Sequence, residues 1–93
     1  MTGATEEPWY QGLEIVRLRR ERDGVAAGCC GIVWGVYGPS PWTYEACFIN
    51  QLGESEDATF EASDVDSVAD ISETPAPREL LEILRTLRVR HDR

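Results

Sequence analysis

The sequence predicts a mainly β fold, a small antiparallel barrel of four to five short strands, with one added C-terminal amphipathic helix. Three observations carry that expectation. Before residue 72, short β-branched and aromatic runs recur at roughly ten-residue spacing with turn residues between them. After residue 74 the apolar spacing becomes that of a helix. Between Gly28 and Gly38 the stretch GCCGIVWGVYG holds four glycines in eleven residues. Each would cost a helix about 1 kcal/mol relative to Ala, whereas a bent strand accommodates them at bulges and ends. The chain is thus expected to divide into an N-terminal arm (1–12), a barrel (13–71), and a helix with its tail (72–93).

Taken in order, Met1 to Pro8 reads as a loose polar arm, and Trp9-Tyr10 as rings folding back as a lid on the core. Leu13 to Arg20 is the first strand, with Val16 and Leu18 on one face and Arg17 and Arg19 on the other. Leu13 and Ile15 have the opposite parity, so either the strand bulges near Ile15 or its first half buries the other face. Glu21-Arg22-Asp23-Gly24 makes a polar turn into the glycine-rich second strand. Gly38-Pro39-Ser40-Pro41 has no helical option, because each proline fixes its own φ and restricts its predecessor. Thr43 to Asn50 is the third strand, with Tyr44, Ala46 and Phe48 on one face and Glu45, Cys47 and Ile49 on the other. Gln51 to Asp57 reads as a turn, Ala58 to Ala62 as a fourth strand anchored by Phe60, Ser63 to Ser67 as a helical turn, and Val68 to Ile71 as a closing strand.

Thr74 fits an N-cap and Pro75 the first helical position, giving a helix near 75–90. Leu80, Leu81, Ile83, Leu84 and Leu87 fall on one arc at about 100° per residue, and Arg85, Arg88 and Arg90 lie where cations favour the helix dipole. That stripe must be buried against the barrel or a second copy, and Leu80, Leu84 and Leu87 are the expected homodimer interface.

Composition narrows the function. No run approaches the roughly 20 apolar residues of a membrane span, and the first residues lack a basic and apolar leader, so a cytoplasmic chain is expected. The net charge is −8, all nine bases are Arg, and residues 45–73 hold nine of the seventeen acidic residues and no base. Such a surface repels phosphate backbones and steers a basic protein toward it, so nucleic-acid binding is disfavoured.

The order V-x-L (Val16, Leu18), polar turn, AAGCCGIV (Ala26 to Val33), Tyr44 with Phe48, and Asp64-Val65 resembles small SH3-like barrels over roughly residues 13–71. The outline recurs in KOW-type modules of the translation machinery and in the small barrel subunit of photosystem I. It also recurs in uncharacterised bacterial proteins, some of which look like immunity proteins paired with secreted toxins. The resemblance implies an SH3-like fold and a binding role, and it brings no catalytic residue to carry over. RNA-touching KOW modules are usually basic, which this chain is not; only Arg17, Arg19, Arg20 and Arg22 favour that reading.

The residues offer little catalytic chemistry. His91, the single histidine, lies too near the C-terminus to be held as a general base. Adjacent Cys29 and Cys30 point to opposite faces of a strand and do not share a tetrahedral metal easily, so with Cys47 they read as small buried hydrophobes. ESEDATFEASDVD has no glycine and no EF-hand register, and no phosphate-cradling glycine motif is present, so no metal or cofactor is expected. The expected function is therefore non-enzymatic protein binding, foremost a cytoplasmic immunity-type protein that neutralises a toxin, with a structural adaptor of a larger complex as the alternative. The candidate partner-binding residues are Glu54, Glu56, Asp57, Glu61, Asp64, Asp66 and Asp70, with Trp42 from an aromatic loop.

Overall fold

Alternation of apolar and polar side chains, punctuated by turn residues, folds this chain as an antiparallel sheet carrying one helix. The computed structural model describes residues 8–39 and 41–91. Its strands are β1 (Ile15–Leu18), β2 (Cys30–Tyr37), β3 (Thr43–Ile49), β4 (Ser55–Phe60) and β5 (Val65–Val68), followed by the helix α1 (Pro77–His91). Short 3-10 turns occupy Ala62–Asp64 and Ile71–Glu73. The sheet order is β4-β3-β2-β1-β5, and every neighbouring pair is antiparallel. The expected mainly β architecture with a C-terminal helix is present, but the sheet is open: β4 and β5 are its two outer strands and do not pair.

Both faces of the sheet are buried, which explains the conflicting parities of the first strand. Val16, Leu18, Val33, Tyr44, Ala46, Phe48, Ala58, Phe60 and Val65 point into one core with Tyr10, Val25 and Cys29. Phe60 of β4 and Val65 of β5 share that cluster although their strands lie at opposite ends of the order, so the sheet curls around it. Tyr44 stacks on Phe60 at 5.7 Å, and Tyr10 meets Tyr44 edge-on at 5.3 Å. Tyr10 thus closes the core as a lid, while Trp9 stays 81% exposed. Leu13, Ile15, Cys30, Ile32 and Ile49 belong to a second cluster on the other face, against α1. Cys29 and Cys30 accordingly fall into different clusters.

That second face decides what the helix does. Leu80 and Leu84 pack on Ile32 and Ile49 within the same chain, with Ile83 and Leu87 partly buried beside them. Burying Leu80 alone contributes about 1.5–3 kcal/mol. Of the residues expected at a homodimer interface, Leu80 and Leu84 cover the chain's own sheet, and Leu87 is half covered by it. The sheet needs that cover because its outer face carries Ile15, Ile32 and Ile49.

Element boundaries moved for local reasons. The Asn50 side chain accepts from the N–H groups of Leu52 and Glu54, and Gly53 has φ +80, so the β3–β4 turn closes by residue 54. Residues 55–57 then belong to β4, whose polar composition is that of an edge strand. The closing strand is Val65–Val68, ahead of its expected place, and Ile71–Glu73 is a 3-10 turn. The Thr74 hydroxyl donates to the Ile71 carbonyl at 2.6 Å and so closes that turn rather than capping the helix. Pro77, not Pro75, takes the first helical position, because a residue before proline is kept out of the helical region.

Close approach requires glycine at Gly31, which meets backbone and the buried Phe48 ring, whereas Gly35 meets only the exposed end of the Tyr37 side chain. At Gly31 an added Cβ would lie 2.7 Å from the Cys47 carbonyl oxygen and 2.7 Å from the Phe48 ring. The β2–β3 register shifts between Val33 and Gly35, leaving Trp34 as the bulged residue. At Gly35, an added Cβ would lie 2.8 Å from the Tyr37 hydroxyl. Asp23 and Gly24, with φ 53 and 86, form the tight turn between the bridged residues Arg22 and Val25.

Candidate docking surface

The acidic stretch is distributed over three places. Glu54, Glu56 and Asp57 lie at β4, Glu61 and Asp64 at the 3-10 turn, and Asp66 and Asp70 on or after β5. Because β4 and β5 are the two outer strands, the stretch does not form one strip along the sheet.

Asp64 leaves the set altogether. Its side chain is 3% exposed and accepts from Arg22 at 2.9 Å and from the Glu61 N–H at 2.8 Å, with Arg20 at 3.3 Å. It therefore ties the β1–β2 connection to the turn before β5 and presents nothing to a partner. No local pattern announces this, because its arginines stand some forty residues away in the chain. Asp66 is exposed and paired with Arg19 at 3.0 Å, a contact that contributes little in water. Asp70 is exposed and caps the second 3-10 turn through the Ser72 N–H, which holds its carboxyl below the ordinary value. Glu61 is exposed at the start of the first 3-10 turn.

At β4 the acids remain uncompensated. Glu54 and Asp57 are exposed, Glu56 is half-buried and accepts from the Asn50 amide at 3.1 Å, and none has an ion-pair partner among the described residues. Asp23 adds a carboxylate at the same edge: it accepts from both the N–H and the hydroxyl of Thr59, at 2.9 and 3.0 Å. Those bonds hold the Asp23 carboxyl below its ordinary value. Arg22 completes the clamp by donating to the Thr59 carbonyl at 3.1 Å. The Arg22–Val25 hairpin thus bonds the β4 edge at Thr59, and its tip at Gly24 lies beside the Glu56 carboxylate.

Asp57 also reaches a groove that sequence reasoning missed. Between the outer face of the sheet and the C-terminal half of α1 lies a hollow of about 400 Å³ lined by Trp34, Cys47, Asp57, Ile83, Leu87 and Arg90, among others. Trp34 is 38% exposed here because its bulge turns it outward. The only available signal was Gly35 after it in mid-strand. Cys47 is half-buried between them, and burial with the nearby Asp57 carboxylate pushes its thiol up to about 11. Burial likewise raises Cys29 and Cys30, which disfavours the thiolate form in all three. A second hollow of about 510 Å³ flanks the other end of the helix, between Gly28, Cys30, Asn50 and Glu79.

Trp42 is partly buried against the first core, with its ring over Gly38, where an added Cβ would collide with it. It lines a shallow hollow of about 230 Å³ with Trp9, Pro41 and Glu61. Among the described residues no three His, Cys, Asp or Glu side chains gather into a metal-binding group. The His91 side chain, residues 1–7 and Ser40 lie outside the described residues. No described helix is long and apolar enough to cross a membrane. No protein-family model, no curated protein and no solved structure matches this chain.

Proposed function

We propose that this chain is a non-enzymatic binding module on an SH3-like barrel, and that it docks a basic protein at the acidic β4 edge. The observation that carries the reading is the uncompensated charge of Glu54, Glu56 and Asp57, beside a hairpin whose arginines are engaged with Asp64 and Thr59. The strand order, the 3-10 turn between β4 and β5, and the curl that brings Phe60 and Val65 into one core support the SH3-like fold. Neutralising a toxin by covering a basic active-site surface is the foremost role this surface suits, because carboxylates of one sign steer a basic partner and fix its orientation.

The test is positional. Glu54→Lys with Asp57→Lys is expected to slow association with a small basic globular protein on the order of tenfold at low salt. Glu73→Lys with Glu79→Lys changes the net charge equally, away from β4, and is expected to leave most of the rate intact. Stopped-flow rates at two ionic strengths decide it. Equal slowing by both pairs means that only net charge acts and overturns the docking surface.

A further inference from the structure

Resting on that docking reading, we infer that the partner is bound as an added β-strand: an extended, arginine- or lysine-rich segment pairs with the outer edge of β4 at Ser55 and Asp57. Along a strand, each residue's N–H and C=O share one edge, and successive residues alternate between edges. Thr59 directs its N–H to Asp23 and its C=O to Arg22, so its groups face the outer edge. Ser55 and Asp57 share that parity, and β3 pairs with them from the inner side only. The same alternation is fixed independently at the turn, where Asn50 N–H bonds the Glu54 carbonyl at 2.8 Å and turns Glu54 inward. Four backbone groups at Ser55 and Asp57 are therefore aimed outward, with no partner among the described residues, while the hairpin bonds β4 at Thr59.

Charge selects the occupant. A second copy pairing through the same edge would set Glu54, Glu56 and Asp57 against their own counterparts, and like charges directly opposite oppose strand pairing. A cationic strand meets carboxylates on both of its faces, Glu56 on one and Asp57 on the other. The side chain opposite Asp57 also continues the cross-strand row Ile32–Cys47–Asp57, at the mouth of the groove lined by Trp34 and Leu87. Backbone pairing then supplies affinity, while the acids and the groove supply selection.

The probe is an eight-residue peptide alternating arginine and valine, titrated at low ionic strength alongside the basic globular protein of the previous test. Anisotropy is expected to show binding, and amide exchange by NMR to slow at least tenfold at Ser55 and Asp57 while the Ala58 amide, already turned toward β3, is unchanged. Ser55→Pro keeps every carboxylate and removes one outward donor, and a variant that melts like the wild type is expected to bind the peptide about tenfold more weakly. Peptide binding without slowed exchange at Ser55 and Asp57 overturns strand addition and leaves the docking reading standing. If the peptide fails while the basic protein binds, strand addition is likewise overturned; if neither binds, the docking reading falls with it.

Discussion

Removing the Asp64 carboxylate tests whether the sheet is held in its curl by a single buried anion. Asp64→Ala deletes the bond to the Glu61 N–H, the 2.9 Å pair with Arg22 and the 3.3 Å pair with Arg20. The first is a cap-type bond worth about 0.5–2 kcal/mol. Breaking a fully buried pair costs about 3–5 kcal/mol. Arg22 is 31% exposed, however, and can recover part of its hydration, so about 1–2 kcal/mol is the better figure for it. Arg20 is 64% exposed and adds about 0.5 kcal/mol or less. Together these give about 2–4 kcal/mol, a large share of what holds a domain of this size and roughly 10–25 °C in Tm. Urea denaturation of wild type, Asp64→Ala, Asp64→Asn, Arg22→Ala and Arg20→Ala, completed as two double-mutant cycles, measures it. A coupling near 1 kcal/mol with Arg22, and a smaller one with Arg20, is expected. An Asp64→Ala protein within 0.5 kcal/mol of wild type would refute the assignment of Asp64 as an interior strut.

Two further outcomes test other parts of the structure. Leu80→Ala, which empties a fully buried site between α1 and Ile32, is expected to destabilise the chain by about 2–5 kcal/mol, and a sedimentation change at unaltered stability would instead make Leu80 part of an oligomer interface. The Cys47 thiol, raised from 9.0 to about 11, carries roughly 100-fold less thiolate at pH 8 than an ordinary cysteine, so its alkylation is expected to lag a free thiol accordingly. Because the folded value exceeds the unfolded one, the stability linked to this thiol is fully present below pH 9 and is lost as pH rises toward 11. Alkylation of the native protein at the rate of free cysteine at pH 8 would contradict that burial.

By itself, the sequence determined what depends on neighbours in the chain. The period-two placement of Tyr44, Ala46 and Phe48 gave β3 its buried face, the Asp23-Gly24 pair gave the first hairpin its turn, and the leucine arc gave α1 its apolar side. These are local because pleat, turn and helix geometry fix which side chains share a face within a few residues. The tertiary structure alone decided where those faces went. It turned the opposed parities of Ile15 and Val16 into two buried layers, spent the leucine stripe on the chain's own sheet, and drew Asp64 out of an acidic run into contact with Arg22. It also separated the acidic run by assigning its halves to opposite outer strands. Charge and hydropathy are properties of single residues, whereas burial and pairing belong to elements that meet only after the sheet has curled, and so the composition of residues 54–70 could announce an acidic protein without saying which carboxylates stay exposed and which are buried in ion pairs.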